Sequence, residues 1–257
     1  MNMSENREIA ISIRDLVMVF EDRKVLDRVN LDIYKGETFV IMGGSGSGKS
    51  TLLRIMAGCL RPTSGKFYFG NKDMSSVSNL EMDEIKKRFG MSFQSSALLD
   101  FLTVKDNVSL PLKEHTNLNQ EMLSLIAKKK LEVVGLKGFE NFMPSTLSGG
   151  MKKRVGLARA IAMDPEIVFY DEPTAGLDPV VCAVVDRLIL DLTKKLKLTS
   201  IVVTHNMESV FRIADRIAML YKGNLLQVGT PDEIKNSSNA IIQQFINGNI
   251  EGPIQVN

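Results

Sequence analysis

Gly43-Gly44-Ser45-Gly46-Ser47-Gly48-Lys49-Ser50-Thr51 fits the pattern G-x-x-x-x-G-K-[ST] of a phosphate-binding loop. The five residues before it, Thr38–Met42, predict a short buried strand, and Leu52–Ala57 after it have the spacing of a helix. A flexible Gly/Ser linker is the alternative, but a linker needs neither the Lys-Ser pair nor flanking apolar elements. The order of strand, loop and helix therefore predicts a phosphate site.

The residue types of this loop predict a site for the phosphates of a nucleotide together with Mg²⁺. Glycines without a Cβ let the backbone curl around phosphates and direct its N–H groups inward. The N-terminus of the following helix adds partial positive charge. Lys49 is expected to reach the β- and γ-phosphates and Ser50 to ligate Mg²⁺. The candidate nucleotide-binding residues are all nine of the loop: Gly43, Gly44, Ser45, Gly46, Ser47, Gly48, Lys49, Ser50 and Thr51.

The bulk composition excludes several classes of protein. The chain has 257 residues, is 44% hydrophobic and carries a net charge of +2, so nothing favours nucleic acid as a partner. Its two cysteines give neither a disulfide framework nor the spacing of a metal site. The polar N-terminus predicts no signal peptide, and no apolar run approaches the roughly 18 residues that span a membrane. A protein of this kind working at a membrane would need another chain for the span.

Strand and helix patterns alternate along most of the chain, which predicts an α/β fold with a mostly parallel sheet. Two early strands joined by a turn predict an N-terminal antiparallel β subdomain. Strand signals vanish from about Ser95 to Gly156, which predicts a helical insertion. The predicted strands are Ile11–Phe20, Val25–Ile33, Thr38–Met42, Lys66–Phe69, Phe89–Gln94, Ile167–Tyr170, Ser200–Thr204, Ile217–Leu220 and Leu225–Val228.

Two acids follow one of the buried strands. Asp171 comes directly after four apolar residues, which is where an acid that holds Mg²⁺ is expected in phosphate-loop ATPases. Glu172 beside it is placed to polarise an attacking water. The alternative is a pair of exposed acids at a strand end, which the phosphate loop makes the weaker interpretation.

The motifs in order resemble the nucleotide-binding subunit of ABC transporters over nearly the whole chain. They are the loop Gly43–Thr51, Gln94, Leu147–Met151, Phe169–Glu172, Ala175–Asp178 and His205. The resemblance implies an ATPase that dimerises over two ATP molecules to drive a membrane permease. It also implies a RecA-like core of residues 1–94 and 157–248, a helical subdomain of residues 95–156, and a C-terminal tail of residues 249–257.

The resemblance also assigns roles to single residues. Phe20 matches the aromatic that stacks on adenine, and Gln94 matches a glutamine near Mg²⁺ and the membrane partner. Asp178 matches an acid of the dimer-bridging loop, and His205 a histidine at the γ-phosphate. Ser148, Gly149 and Gly150 match the signature that contacts ATP bound to the opposite subunit.

The implied catalytic residues are thus Glu172, His205 and Gln94, and the implied metal ligands are Ser50, Gln94 and Asp171. Gly44 and Met151 depart from the pattern, since many relatives have Pro and Gln there.

Scattered residues resemble one branch, the ATPases of Mla/Mce-type phospholipid transport systems: Pro111–Thr116, Met143–Ser145, Met151 and Gly252–Ile254. This resemblance implies a homodimer at the cytoplasmic face of the inner membrane, bound peripherally to an integral permease. A small accessory cytoplasmic subunit and an MCE-type lipid-binding protein are further implied partners. It also suggests that the tail crosses to the other ATPase subunit; disorder after Gly248 is the alternative.

Two other functions remain open at this point. The ATPase of an amino-acid or other solute importer would share every catalytic motif. A soluble ABC protein that acts on DNA or ribosomes belongs to another class. Relatives of that kind carry long coiled-coil heptads or two cassettes in one chain, and this sequence has neither.

Overall fold

The computed structural model describes residues 7–255 and divides into two compact units. The first unit comprises the chain up to Val77 and from Ile201 onward, and the second is Ser78–Ser200. The first six residues, on which the prediction of no signal peptide partly rests, and the last two residues of the predicted tail lie outside the described range.

An antiparallel sheet forms much of the first unit. Its strands follow the order β2-β1-β4-β5, and β1 is buried without interruption from Ala10 to Ile13. Ile11 pairs with Ile33, and Ile13 with Leu31, so both strands turn apolar residues to one face. The strands are β1 (Ile9–Phe20), β2 (Arg23–Tyr34), β4 (Ser64–Phe69) and β5 (Lys72–Asp73). The predicted antiparallel subdomain is confirmed.

A second set of strands in this unit carries the phosphate loop. β3 (Thr38–Met42) is buried along its whole length and pairs in parallel with β9 (Arg216–Tyr221). β9 in turn pairs antiparallel with β10 (Asn224–Gly229). The helices of the unit are α1 (Lys49–Met56), α7 (Met207–Ile213), α8 (Pro231–Lys235) and α9 (Ala240–Asn247). β8 (Thr199–Val203) lies where the chain passes from the second unit to the first.

Helices dominate the second unit. Buried residues recur every four positions on α3 and α4, as packed helices require. β6 and β7 pair in parallel. The elements are α2 (Asn79–Lys86), β6 (Phe89–Ser92), α3 (Val104–His115), α4 (Gln120–Val133), a 3-10 helix (Pro144–Thr146), α5 (Gly149–Ala160), β7 (Ile167–Asp171) and α6 (Pro179–Leu196). The predicted strand-free stretch 95–156 is fully described and contains helices and turns.

The elements end slightly earlier or later than predicted. β6 stops at Ser92, so Gln94 lies in the following turn; Ser96 and Ala97 have φ values of 62° and 45°, which no strand can accommodate. α5 continues to Ala160, past the predicted subdomain boundary at Gly156. The compact units and the predicted subdomains divide the chain at different residues, and the subdomain division stays a prediction. Within residues 7–255, no helix is both long and apolar enough to cross a membrane.

Candidate functional site

The phosphate loop joins β3 to α1 in the first unit, and its glycines are required by the backbone. Gly43 has φ 153°, and an added Cβ would come 2.1 Å from the carbonyl oxygen of Leu220. Gly48 has φ 105°, and its Cβ would come 2.8 Å from Leu26. Other residue types are therefore excluded at both positions. Gly44 has no atom within 4 Å of an added Cβ.

The Lys49 side chain closes back on the loop that precedes it. Lys49 is 8% exposed, and its Nζ donates to the carbonyl oxygens of Gly43 at 2.7 Å and Gly44 at 2.8 Å. The loop is therefore curled around an ammonium group. Ser47 is also buried, and its Oγ has no hydrogen-bond partner within residues 7–255.

Two more predicted residues belong to this unit. Phe20 ends β1 and is 44% exposed, which leaves a ring face accessible for stacking. It pairs across the hairpin with Arg23, whose Nη2 lies 3.8 Å from the position of a Cβ on Gly46. His205 follows β8 and is exposed.

The loop opens onto a large cavity within the first unit. Its volume is about 1240 Å³, and Gly44–Ser47 form one side of it. Tyr221, Lys222 and the segment from Gly248 to Gly252 form other parts of the lining. A cavity of this size has room for a nucleotide beside the loop.

The second unit holds the two predicted acids at the end of β7. Asp171 and Glu172 are each 8% exposed. Glu172 has φ 47°, a left-handed conformation that is uncommon for a residue with a side chain. Such strain is found at functional sites, where surrounding contacts hold it in place.

Gln94 is exposed in the turn after β6, and one lysine connects that turn to the acids. The Nζ of Lys153, on α5, donates to the carbonyl oxygen of Gln94 and to that of Glu172 at 3.2 Å. Burial lowers the pKa of Lys153, while Glu172 and Asp171 raise it and partly offset that effect.

The predicted signature residues begin α5. Ser148 is the N-cap, and its Oγ accepts from the backbone N–H of Met151 at 3.3 Å. Ser148 and Gly149 are exposed. Gly150 packs so closely that an added Cβ would come 2.6 Å from Val181 Cγ1. The signature thus presents an open helix N-terminus to solvent in this chain.

Asp178 caps a helix of the second unit. It is exposed and caps α6, accepting from the N–H groups of Val180 at 3.1 Å and Val181 at 3.0 Å. The Asp178-Pro179 pair therefore starts this helix, with Asp178 as the N-cap and Pro179 at the first helical position.

Sequence reasoning did not single out Lys153, Arg159 or Arg23. Lys153 lies in a run of three basic residues, Lys152–Arg154, which ordinarily indicates a solvated helix face. The position of Lys153 on the helix was the available signal for its burial, because it lies on the same face of α5 as Gly156 and Ala160, both of which are buried.

The residues present fit a nucleotide and Mg²⁺ by their chemistry. The curled loop with its buried Lys49 and the orphaned Ser47 hydroxyl are suited to phosphate oxygens. Within residues 7–255 no group of three or more His, Cys, Asp or Glu residues could hold a metal. Mg²⁺ commonly takes one or two protein ligands and shares its other ligands with phosphates and water. Ser50 and Asp171 are donors of that type.

Comparison with protein families matches residues 26–175 to the family described as ABC transporter. The intermembrane phospholipid transport ATP-binding protein MlaF of Haemophilus influenzae is 42% identical, over 95% of this chain and 93% of that protein. TRIGALACTOSYLDIACYLGLYCEROL 3 of Arabidopsis thaliana chloroplasts is 40% identical, over 98% and 78%. A probable ribonucleotide transport ATP-binding protein, mkl of Mycobacterium leprae, is 38% identical, over 96% and 71%.

A solved ABC transporter cassette, MJ0796, resembles this structure in two states. Its dimeric form has a TM-score of 0.79 and 33% identity, covering 86% of this chain and 98% of the cassette. A dimeric post-hydrolysis state of the same cassette, bound to ADP and phosphate, has a TM-score of 0.78 and 31% identity over the same shares.

Proposed function

Because the chain belongs to the ABC transporter family of ATP-binding proteins, we propose that it powers the movement of phospholipids between membranes. The chain is an ABC ATPase and binds ATP. The observation that carries the lipid assignment is the 42% identity, over 95% of this chain, to a protein named for intermembrane phospholipid transport. The similarity extends far beyond the catalytic motifs, which all ABC ATPases share.

Each motif receives one task in the proposed hydrolysis of ATP. Lys49 and the loop amides bind phosphate oxygens, and Ser50, Asp171 and Gln94 are the proposed protein ligands of Mg²⁺. When bound, Mg²⁺ would neutralise charge on the β- and γ-phosphates. Glu172 orients the attacking water and accepts its proton, and the products are ADP and phosphate. His205 is assigned to the γ-phosphate.

The working form is proposed to be a homodimer. Ser148 and Gly149 are exposed at the start of α5, and Asp178 is exposed at the start of α6. A helix N-terminus attracts phosphate oxygens. We propose that a second copy of the chain brings its bound ATP to this surface. The MJ0796 cassette, which this chain resembles, has a dimeric structure.

The membrane partner is proposed to be an integral permease that docks in a groove of the second unit. The groove has a volume of about 380 Å³ and is lined by apolar side chains, among them Phe93, which is 41% exposed, and Leu99. Pro111 and His115, from the stretch that resembles the lipid branch, also line it. A short apolar helix of the permease would fit here and would touch the residue next to Gln94.

The proposed location is the cytoplasmic face of the inner membrane, where the permease would hold the chain peripherally. An accessory cytoplasmic subunit and an MCE-type lipid-binding protein complete the proposed assembly. A solute importer is the second candidate function. It is favoured by the Thr174–Ala175 pair after Pro173, which resembles solute importers more than the lipid branch.

The test uses the full-length chain purified from membranes with the proteins that accompany it. We expect a permease and bound phospholipid to be identified, and ATP to drive phospholipid movement between vesicles after reconstitution. Turnover stimulated by an amino acid or another solute, with no phospholipid movement, would support the importer instead.

Glu172→Gln tests the ATPase assignment separately. The amide cannot accept the proton of water, so we expect turnover to fall about 100-fold or more while ATP binding is retained. Glu166→Gln is the matched control, because Glu166 is an exposed acid of the same unit that pairs with Arg88 at 2.6 Å. Turnover of Glu172→Gln within a few-fold of the parent would contradict the assignment.

A further inference from the structure

Helix α5 carries two cationic side chains, Lys153 and Arg159, that the assigned motifs do not include. Lys153 is 6% exposed, and Arg159 is half-buried. They lie six residues apart, about 1.7 helical turns, so they leave α5 in directions about 120° apart and reach the loop after β6 from different sides. Burial lowers the pKa of both groups. Cations are rarely buried without partners, and both have them here.

Lys153 joins two loops through their backbones. Its ammonium group donates to the carbonyl oxygen of Gln94, after β6, and to that of Glu172, after β7. Hydrogen bonds from a charged donor are stronger than neutral ones. Lys153 therefore links the backbone of Gln94, a proposed ligand of Mg²⁺, to the backbone of Glu172, which is proposed to orient the attacking water.

Arg159 holds the rest of the loop after β6. Its Nη1 donates to the carbonyl oxygen of Ala97 at 2.7 Å and its Nη2 to that of Ser96 at 2.6 Å. Both loop residues have positive φ values, so their conformation depends on such contacts. Gly156 of α5 faces the same loop, because an added Cβ there would come within van der Waals contact of Ser96 Cβ, at 3.5 Å.

The carbonyl oxygen of Glu172 is held in the same way. It accepts from the Lys153 ammonium at 3.2 Å and from the N–H of Ala175 at 3.2 Å. Because Glu172 has φ 47°, a loss of these bonds would let its backbone relax and turn its carboxylate. A small displacement of a catalytic group has a large effect on rate.

We propose that Lys153 is a positioning residue for ATP hydrolysis, which fixes the backbone of Gln94 relative to that of Glu172. It acts through these two residues and has no assigned contact with ATP. The inference rests on the proposed roles of Gln94 and Glu172. Since α5 also begins with the signature Ser148, Lys153 links that helix to both loops.

The first test compares turnover with affinity in the full-length chain purified with its partners. Lys153→Met keeps the length of the side chain and removes its donors. We expect kcat to fall about 10- to 100-fold, with KM for ATP within about twofold of the parent. Lys153→Arg retains a charged donor and is expected to recover kcat to within a few-fold of the parent.

Lys130→Met is the matched control. The Lys130 side chain is 12% exposed and pairs with Asp164, so the same substitution removes a similarly covered lysine of the same unit. We expect this control to keep the kcat of the parent. If Lys153→Met also keeps it, or if both variants lose kcat and thermal stability equally, the proposal is overturned.

Hydrogen exchange provides a readout that does not need turnover. In Lys153→Met, or in Lys153→Gln if the Met variant does not fold, the amides of Gln94–Ala97 and Glu172–Ala175 should exchange faster together. Unchanged exchange in both loops would overturn the proposal. If the parent chain does not hydrolyse ATP, the ATPase assignment itself is wrong. If both the parent and Lys153→Met hydrolyse ATP at the same rate, only the proposed role of Lys153 is wrong.

Discussion

Lys49 shows how a single side chain can shape the phosphate loop. Its Nζ lies between the carbonyl oxygens of Gly43 and Gly44, at 2.7 and 2.8 Å, so the ammonium charge sits inside the curve of the loop. Loop carbonyls are weaker partners for an ammonium group than phosphate oxygens, which carry full negative charge. The loop is therefore preorganised for an anion.

Lys49→Ala is expected to weaken ATP binding by about tenfold or more, because a charge-assisted bond to phosphate is lost at a buried position. Fluorescent nucleotide titration of the purified chain measures this. Lys66→Ala is the control, because Lys66 is an exposed lysine of the same unit that pairs with Asp73 at 3.7 Å. Equal affinities in parent and Lys49→Ala would remove the phosphate-loop assignment.

At the scale of elements, the second unit depends on the close approach of β6 to the end of α5. An added Cβ on Gly90 would come 2.1 Å from the carbonyl oxygen of Ala160 and 3.2 Å from Pro165. Gly90 lies in the strand and has a negative φ, so contact with the helix end excludes larger residues there. This approach brings the loop after β6 within reach of Lys153 and Arg159.

Gly90→Ala is expected to lower the stability of the chain by about 1–3 kcal/mol, since the strand and the helix must separate to admit a methyl group. Thermal and urea unfolding measure the change. Gly138→Ala is the control, because it introduces backbone strain without a steric clash. Gly138 has φ 90°, and no atom lies within 4 Å of an added Cβ. A larger loss in Gly138→Ala than in Gly90→Ala would contradict this account.

At the scale of the whole molecule, the tail follows a defined path through Gln255. The buried Gln244 side chain accepts from the N–H of Ile254 at 2.6 Å and donates to the carbonyl oxygens of Ile254 at 3.1 Å and Asn249 at 3.2 Å. Ile250 is nevertheless 97% exposed. An exposed isoleucine beside the phosphate-loop cavity is a candidate contact for a second subunit.

Truncation after Gly248 is expected to weaken the dimer and to lower the thermal stability of the isolated chain only modestly, since the isolated chain loses the hydrogen bonds between Gln244 and the tail. Burying two tail side chains in the dimer would contribute roughly 3–5 kcal/mol before the entropy of ordering is subtracted. Light scattering with ATP, in a Glu172→Gln background, measures the dimer. The Ile250→Ser substitution should also weaken the dimer, and Glu251→Ser serves as its control. If the truncated chain dimerises as fully as the parent, the tail does not stabilise the dimer.

The sequence alone predicted the parts whose chemistry is local. The phosphate loop, the strand before it and the acids after β7 are each specified within a few neighbouring residues, because glycines, apolar runs and caps act over short distances. The antiparallel subdomain and the helical stretch between β6 and β7 followed from the same periodicities. The roles of Phe20, Gln94, Asp178 and His205 came from resemblance and stay predictions.

Only the tertiary structure decided which charges face inward. Lys152, Lys153 and Arg154 are alike in sequence, and the rotation of α5 against its neighbours buries Lys153 most deeply. The left-handed conformations of Ser96, Ala97 and Glu172 could not be predicted from the sequence either, because none of these residues is a glycine, the residue type that usually indicates a positive φ. Both features arise from contacts between segments distant in the chain, and local propensity carries no information about such contacts.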